Sequence, residues 1–203
     1  MADNVLNREY DHGRDDARDF YRKWSETYDS AVSSNGYATP KRCAKALSKF
    51  VSEFNTPVLD YACSPGLSGE ALREEGFTTL NGYDISKEIL ASADEKPIYS
   101  VLKCFNPDEG PEIATGILHA ISTVGVINVG AVPPSSNDLM FDLLAPTGLF
   151  AFTFNGHVLA NPTFEAKVKQ YTVSPRAELL FMEYSNNLPA AGLKSNVDAL
   201  KKA

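Results

Sequence analysis

A run of small residues between an apolar segment and a helix-like segment constrains the fold of this chain most. Residues Pro57–Tyr61 have the composition of a short buried strand, and Ala62–Leu67 follow as a loop. Residues Ser68–Glu75 then have the pattern of a helix, which Gly76 ends. Small residues allow a sharp turn and let the backbone approach a ligand closely. The segment therefore predicts a strand–loop–helix unit with a ligand at its loop.

Strand-like and helix-like segments continue to alternate after this unit. The predicted strands are Thr79–Tyr83, Ile98–Leu102, Ile117–Val124, Leu149–Phe154, Leu179–Tyr184 and Ser195–Leu200, and the predicted helices are Ser86–Ala93, Ser135–Leu144 and Phe164–Tyr171. Ser86 is a good N-cap for its helix, and Pro146–Gly148 is predicted as a turn. The alternation predicts an α/β fold with a doubly wound, mostly parallel seven-stranded sheet. The last two strands follow each other directly, which predicts an antiparallel edge hairpin.

The N-terminal part of the chain is predicted to be helical. Apolar residues recur at every fourth position in Phe20, Trp24, Tyr28 and Val32. Asn35 and Gly36 end this helix, and Pro40 suits the first turn of a second one. We therefore expect a single domain, in which residues 1–55 form a helical cap on a core of residues 56–203.

The charge balance and the cysteine content argue against several classes of site. The formal net charge is −7, whereas nucleic-acid binding requires clustered lysine and arginine. The three cysteines, Cys43, Cys63 and Cys104, are far apart and form no Cys-x-x-Cys pair. Neither a disulfide framework nor a metal site is therefore predicted. A small molecule or a protein is therefore favoured as substrate over a nucleic-acid duplex.

The distribution of apolar residues predicts a cytoplasmic protein with no membrane partner. Residues Met1–Asp19 are polar and acidic and lack the apolar core of a signal peptide. The most apolar stretch, Ile117–Val132, is interrupted by His119 and Asn128. It is also shorter than the roughly 20 residues that a membrane-spanning helix requires.

Two motifs compete for the loop after the first predicted strand. Asp60-x-Ala62-x-Ser64-x-Gly66 is a degenerate form of the Asp-x-Gly-x-Gly-x-Gly signature of methyltransferases. Ser64-x-Gly66-x-x-Gly69 instead matches a dinucleotide-binding fingerprint that has lost its first glycine. Asp60 favours the first motif, because a carboxylate at the strand end is a poor neighbour for a pyrophosphate but suits an ammonium group. Asp84 follows the loop by roughly twenty residues, where a carboxylate can accept both hydroxyl hydrogens of a ribose.

The chain resembles class I S-adenosylmethionine-dependent methyltransferases from about Trp24 to its C-terminus. The residues that carry the resemblance are Val58–Phe77 with Gly82–Ala91, and the shorter matches Tyr28-Asp29, Gly36–Pro40, Ser122–Val126, Leu144–Phe150 and Leu193–Val197. The group that it resembles most is the methyltransferase-like group that includes the Williams-Beuren-region protein. The resemblance implies a Rossmann-like methyltransferase fold with S-adenosyl-L-methionine as cofactor.

The resemblance also implies a set of cofactor-binding residues. Asp60, Ala62, Ser64 and Gly66 would lie along the methionine part, Asp84 would hold the ribose, Ile85 would flank the adenine, Asn106 would lie by the adenine edge, and Ser122 to Val124 would lie beneath the sulfonium. Tyr28 and Tyr37 would come from the N-terminal helices that cover the site. Ala62 and Ser64 stand where the signature has glycine, which is a departure from the family pattern.

Three functions follow from these observations. The first is methyl transfer to a small molecule, which needs mainly alignment and exclusion of water. His157 follows the fifth predicted strand and is a candidate base or substrate contact. The second is a non-catalytic or regulatory domain of the same fold, because Ala62 and Ser64 replace glycines. The third is a nicotinamide-dependent reductase, which depends on Ser64-x-Gly66-x-x-Gly69 alone.

Overall fold

The computed structural model describes residues 34–126, 136–155, 166, 169–170, 172–173 and 176–203. Its strands are β1 (Val58–Tyr61), β2 (Leu80–Asp84), β3 (Val101–Cys104), β4 (Leu118–Thr123), β5 (Leu144–Asn155), β6 (Ala177–Leu188) and β7 (Leu193–Lys202). Its α-helices are α1 (Thr39–Ser48), α2 (Leu67–Glu74), α3 (Lys87–Asp94) and α4 (Ser136–Leu143), and a 3-10 turn, Pro189–Ala191, joins β6 to β7. Among these described helices, none has the length and apolar character needed to cross a membrane.

The strands form one seven-stranded sheet in the order β3-β2-β1-β4-β5-β7-β6. Neighbours from β3 through to β5 are parallel, whereas β7 is antiparallel to both β5 and β6. The predicted fold class and the predicted antiparallel edge hairpin are therefore confirmed. The strand order reverses between β1 and β4, and doubly wound sheets bind ligands beyond the carboxyl ends of strands at such a point.

Two apolar layers cover the two faces of the sheet. One face is aromatic, because Phe150, Phe152 and Phe154 alternate along β5 and point to the same side. Their ring centroids lie 4.6 Å and 5.2 Å apart in succession. The other face carries small and branched residues, including Val58 and Ala151, beneath helices α1 and α2. The small residues let both helices lie close to the strands.

The predicted boundaries of the helices around the loop agree with the structure to within one residue. Helix α2 spans Leu67–Glu74, one residue earlier than predicted. Helix α3 begins after Ser86, whose hydroxyl accepts a hydrogen bond from the Ile89 amide at 3.2 Å. The predicted N-cap is therefore confirmed. The predicted helix Phe20–Val32 lies outside the described residues, as does most of the predicted helix Phe164–Tyr171.

Strand β3 begins at Val101, so the prediction of a strand from Ile98 was wrong at its start. The side chain of Ile98 is buried against α2, and its carbonyl accepts a hydrogen bond from Arg73 Nε at 2.8 Å. An arginine from the neighbouring helix thus occupies the carbonyl that a strand partner would use. Tertiary packing here overrides the apolar pattern that indicated a strand.

Strand β5 begins at Leu144, so the prediction of a turn at Pro146–Gly148 was also wrong. The turn residues form an irregular part of the strand, where the pairing register with β4 shifts between Leu118 and Ala120. Thr147 has a positive φ of 64° at this irregularity. The irregularity accommodates the extra residues of β5, and pairing resumes at Ala120 and Leu149.

Candidate functional site

The candidate site lies where β1, β2 and β4 end at one edge of the sheet. Strand β1 lies between the other two, with Tyr61 opposite Tyr83 of β2 and Asp60 opposite Ser122 of β4. The loop after β1 therefore lies next to Asp84 at the end of β2. The fold brings these sequence-predicted residues together at the point where the strand order reverses.

The loop after β1 has backbone angles that favour glycine. Ala62 and Ser64 have φ values of 55° and 51°, and Gly66, the N-cap of α2, has a φ of 103°. The left-handed conformation costs a residue with a Cβ roughly 1–2 kcal/mol. The methyl group of Ala62 packs against the aromatic face of the core. The loop thus keeps the conformation of a glycine-rich turn although two of its residues carry side chains.

Asp84 connects the end of β2 to this loop. Its Oδ2 accepts a hydrogen bond from the Ser64 amide at 3.1 Å, and its Oδ1 accepts one from the Ser86 amide at 3.0 Å. The carboxylate is buried, and burial raises its pKa while the amides of Ser86, Ser64 and Ile85 oppose that rise. The spacing of the loop and Asp84 that the sequence predicts is therefore a direct contact in the structure.

Asp60 lies beneath the loop and is fully buried. Its Oδ2 accepts hydrogen bonds from the hydroxyl of Ser68 and from that of Tyr99, both at 2.7 Å. Burial raises the pKa of this carboxyl to about 6; the two hydroxyl donors lower it and the charge of Asp84 raises it further. Within the part of the chain that the structure describes, Asp60 Oδ1 has no hydrogen-bond partner. The carboxylate of Asp60 therefore lies below the surface of the site.

Tyr99 is a residue that the sequence analysis did not assign to the site. Its ring lies between α2 and β2, against Gly69 and Gly82. A Cβ at Gly69 would lie 2.5 Å from Tyr99 Cζ, and one at Gly82 would lie 3.0 Å from Tyr99 Cδ1. The signal was present in the sequence, since glycine inside a helix or a strand often marks a close approach. The absence of a side chain at Gly69 therefore makes room for the ring of Tyr99. The dinucleotide motif would instead explain Gly69 by the close approach of a phosphate.

Ile85 and Asn106 lie at the same edge of the sheet, beyond β2 and β3. The side chain of Ile85 is 40% exposed, although it is apolar. Strand β3 pairs with β2 so that Cys104 is opposite Asp84, which places Asn106 just past this pair. The Asn106 side chain accepts a hydrogen bond from the Asp108 amide at 3.1 Å and is exposed. Both residues therefore border the open edge beside Asp84.

Ser122 and Val124 lie at the end of β4 on the face that α1 covers. Ser122 is buried, and its Oγ is 3.8 Å from the Cys43 thiol of α1. Burial raises the pKa of that thiol to about 12. Val124 is half-buried and packs against the same apolar layer. The structure thus places Ser122 beneath the site rather than at its surface.

Tyr37 precedes α1 and reaches the carboxyl end of β4. A Cβ at Gly125 would lie 2.8 Å from the Tyr37 hydroxyl oxygen. This part of the predicted N-terminal cover therefore lies beside the site. Tyr28 and His157 lie outside the described residues.

Within the part of the chain that the structure describes, no group of three or more histidine, cysteine and acidic residues has the arrangement of a metal site. Cys63 lies in the loop itself, but burial raises the pKa of its thiol. The thiol is therefore a packing group against Gly82 rather than a reactive thiolate.

A cavity of about 650 Å³ lies at the opposite edge of the sheet. It is lined by residues that precede or begin the strands, including Pro57, His119 and Thr147. Doubly wound folds bind ligands at the carboxyl ends of their strands, so this cavity is separate from the candidate site.

Comparison with known proteins gives a match of structure and none of sequence. No protein-family model matches the chain, and no curated protein matches it. Solved structures that are similar include a TehB-like SAM-dependent methyltransferase from Corynebacterium glutamicum, with a TM-score of 0.62 and 13% identity. The match covers 92% of this chain and 100% of that chain.

Two further similar structures have other ligands or partners. One is from the complex between a Haloferax volcanii methyltransferase and the Trm112 methyltransferase activator, with a TM-score of 0.67, 15% identity, and coverage of 89% of this chain and 96% of that chain. The other is geranyl diphosphate C-methyltransferase from Streptomyces coelicolor, in complex with Mg²⁺, geranyl diphosphate and S-adenosyl-L-homocysteine. Its TM-score is 0.59 at 13% identity, covering 79% of this chain and 76% of that chain. The chain thus has the Rossmann-like methyltransferase fold.

Proposed function

We propose that this protein is an S-adenosylmethionine-dependent methyltransferase that acts on a small-molecule acceptor. The observation that carries the proposal is the backbone of the loop after β1, in which Ala62 and Ser64 keep positive φ values. These are the two positions at which the methyltransferase signature has glycine. Strained backbone of this kind concentrates at ligand sites. Its retention at both positions supports a loop that still passes close to a ligand.

The nucleoside end of the cofactor fits the residues around Asp84. Each oxygen of this carboxylate accepts one backbone amide, and each can accept another hydrogen bond. Asp84 therefore has the acceptor capacity for two ribose hydroxyls. Ile85 is exposed beside it and offers an apolar wall for a planar base. Asn106 lies at the same edge of the sheet, just past the pair of Cys104 and Asp84. We therefore propose that residues near Asn106 lie by the edge of the adenine.

The other end of the cofactor carries positive charge, and the site beneath it is acidic. Asp60 and Asp84 interact electrostatically. Among the contacts that the structure describes for these two residues, none is with a cation. An acidic site favours a sulfonium and an ammonium group over a pyrophosphate. This charge, together with the role of Gly69 in accommodating Tyr99, supports the methyltransferase motif against the dinucleotide motif.

When bound, S-adenosylmethionine supplies a methyl group that is activated by its positively charged sulfur. The residues of this chain would hold and align that group: the loop by its backbone, Asp84 at the ribose, and Tyr37 as part of the cover. Alignment with exclusion of water is the main requirement of such a transfer. We keep His157 as the candidate for a base. The sequence resemblance to the Williams-Beuren-region group stays part of this proposal.

A second candidate function is a non-catalytic or regulatory member of the same fold. The observation that favours it is that Ala62 and Ser64 each add a Cβ to a loop where the signature has none. Asp60, moreover, already accepts two internal donors, Ser68 and Tyr99. A loop modified in this way would bind the cofactor weakly or bind another ligand.

Calorimetric titration with S-adenosylhomocysteine tests the proposal. We expect binding by the wild type and a loss of about ten-fold or more, about 1.4 kcal/mol, in Asp84→Asn. Asp94→Asn, in an exposed residue of α3, is the matched control and should bind like the wild type. Absence of binding to the wild type would overturn the proposal. Binding without methyl transfer to any of a panel of small acceptors would favour the second candidate, and binding of a nicotinamide cofactor would favour the dinucleotide motif.

A further inference from the structure

The segment that carries Tyr37 is held by the hairpin of β6 and β7. The Ala38 amide donates to the Asn187 carbonyl at 2.9 Å, and the Ala190 amide donates to the Asn35 carbonyl at 3.3 Å. Gly36, with a φ of 72°, approaches the hairpin turn so closely that a Cβ would lie 3.3 Å from Pro189 Cγ. Residues 35–38 thus lie along the tip of the hairpin.

The side chain of Asn187 also binds Thr39, the residue that follows Ala38. Thr39 Oγ1 donates to Asn187 Oδ1 at 2.7 Å and lies 2.8 Å from Ser195 Oγ. Thr39 and Ser195 are both buried, so the contact between their two hydroxyls is shielded from water. Asn187 therefore binds Ala38 with its backbone and Thr39 with its side chain, directly after Tyr37.

Arg42 holds the first turn of α1 to the same hairpin. Its Nη2 donates to the Glu183 carbonyl at 2.8 Å, and its Nε donates to Glu183 Oε1 at 3.0 Å. Its Nη1 donates to the Asn186 carbonyl at 2.9 Å and to Ser195 Oγ at 3.0 Å. The hairpin of β6 and β7 therefore supports both the start of α1 and residues 35–38 before it.

On its other side the segment meets the candidate site through Tyr37 and Gly125. The Tyr37 hydroxyl occupies space that a Cβ at Gly125 would need, at 2.8 Å. The Gly125 amide donates to Thr153 Oγ1 at 2.8 Å, which fixes the backbone that Tyr37 approaches. Gly125 has a φ of 72° and follows β4, the strand beside β1 at the point where the strand order reverses.

We propose that the β6–β7 hairpin positions Tyr37 beside the cofactor site, and that Asn187 is a positioning residue that acts through Tyr37. The placement of Tyr37 depends only on the contacts described above. Its effect on binding depends in addition on the proposed cofactor function. The two parts are therefore tested by separate measurements.

The first measurement is the NMR resonance of the Gly125 amide without ligand. We expect the aromatic ring of Tyr37 to shift this resonance, and Tyr37→Leu measures the size of the shift. We expect Asn187→Ala to move the resonance toward its position in Tyr37→Leu. Asn187→Asp keeps the acceptor oxygen for Thr39 and should restore it. Asn186→Ala is the matched control: its side chain is exposed and its contact with Arg42 is made by the backbone carbonyl. An unmoved resonance in Asn187→Ala overturns the placement.

The second measurement is a double-mutant cycle on S-adenosylhomocysteine binding. Asn187→Ala should weaken binding about five-fold in the wild-type background and have no further effect in the Tyr37→Leu background. A residue that merely stabilised the fold would weaken binding equally in both backgrounds, which would overturn the positioning role. Failure of the wild type to bind would overturn the proposed function and with it the effect on binding, while the Gly125 resonance would still decide the placement.

Discussion

The hydroxyl of Tyr99 donates a hydrogen bond to Asp60 Oδ2 at 2.7 Å, across a separation of 39 residues. The contact joins the segment before β3 to the carboxylate beneath the loop. Ser68 donates to the same oxygen from the first turn of α2. Three elements of the fold therefore meet on one carboxylate, and the loop after β1 lies directly above it.

Removal of the Tyr99 hydroxyl should destabilise the protein. Tyr99→Phe leaves a buried carboxylate with Ser68 as its remaining hydroxyl donor, and a hydrogen bond to a charged group contributes about 1.5–3 kcal/mol. We expect the free energy of unfolding in urea at neutral pH to fall by about that amount. Tyr184→Phe removes a hydroxyl from a side chain that is 56% exposed and should stay within about 0.5 kcal/mol of the wild type. Equal stability of both variants would contradict the role of the hydrogen bond.

The raised pKa of Asp60 predicts a pH dependence of stability. Burial raises this pKa from 3.8 to about 6, so the folded state binds the proton more tightly than the unfolded state. The stabilisation from protonation is complete below about pH 4 and is lost as the pH rises through about 6. It corresponds to about 3 kcal/mol.

The test compares the wild type with Asp60→Asn, which does not titrate. Between about pH 4 and pH 7.5, the stability of the wild type should fall by about 3 kcal/mol relative to the variant. Asp84 is present in both proteins, so its own titration cancels in the difference apart from the part that comes from its electrostatic interaction with Asp60. A difference in the free energy of unfolding that stays constant with pH would show that Asp60 is not held as described.

Glycine at the two strained loop positions should stabilise the protein. The left-handed conformation costs Ala62 and Ser64 about 1–2 kcal/mol each, whereas glycine loses about 0.5–1 kcal/mol through chain entropy. We expect Ala62→Gly and Ser64→Gly each to raise the free energy of unfolding by about 0.5–1 kcal/mol. Ala91→Gly, at an exposed position inside α3, should lower it by about 1 kcal/mol. A decrease at the loop positions as well would indicate that their side chains make contacts that outweigh the strain.

A methyl group at Gly69 should be costly because of Tyr99. The added Cβ would lie 2.5 Å from Tyr99 Cζ and 2.7 Å from Ile98 Cγ2. We expect Gly69→Ala to destabilise by about 1–3 kcal/mol, although alanine is the better helix former. In a Tyr99→Leu background the cost should be smaller, and the cycle of free energies should be non-additive. Additive effects would show that the two residues do not compete for space.

The fold could be predicted because its signals are local. Strand-like and helix-like segments alternate through the middle of the chain. Ser86 marks the start of α3, and the Ile89 amide from which it accepts a hydrogen bond is only three residues away. The start of β3 could not be predicted, because Ile98 and Tyr99 alternate like strand residues. What removes them from the strand is Arg73 and the packing of α2, neither of which is adjacent in the sequence.

The candidate site could be predicted in position, whereas its internal contacts could not. A carboxylate after a strand has the same local pattern whether it faces a ligand or a neighbouring helix. For Asp84 the spacing from the loop was informative, and Ser64 is its partner. For Asp60 the deciding partners are Ser68 and Tyr99, and the latter lies 39 residues away. The roles of these residues toward a cofactor stay predictions.

Strand β7 lies between β5 and β6, although it follows both of them in the chain. On the ribosome, β6 is therefore synthesised before the strand that separates it from the rest of the sheet. Until β7 emerges, both β5 and β6 present long unpaired edges, of the kind through which chains associate wrongly. A chain in which β7 has not yet paired is thus open to association through these two edges, and a chaperone that binds extended segments would protect it until β7 pairs.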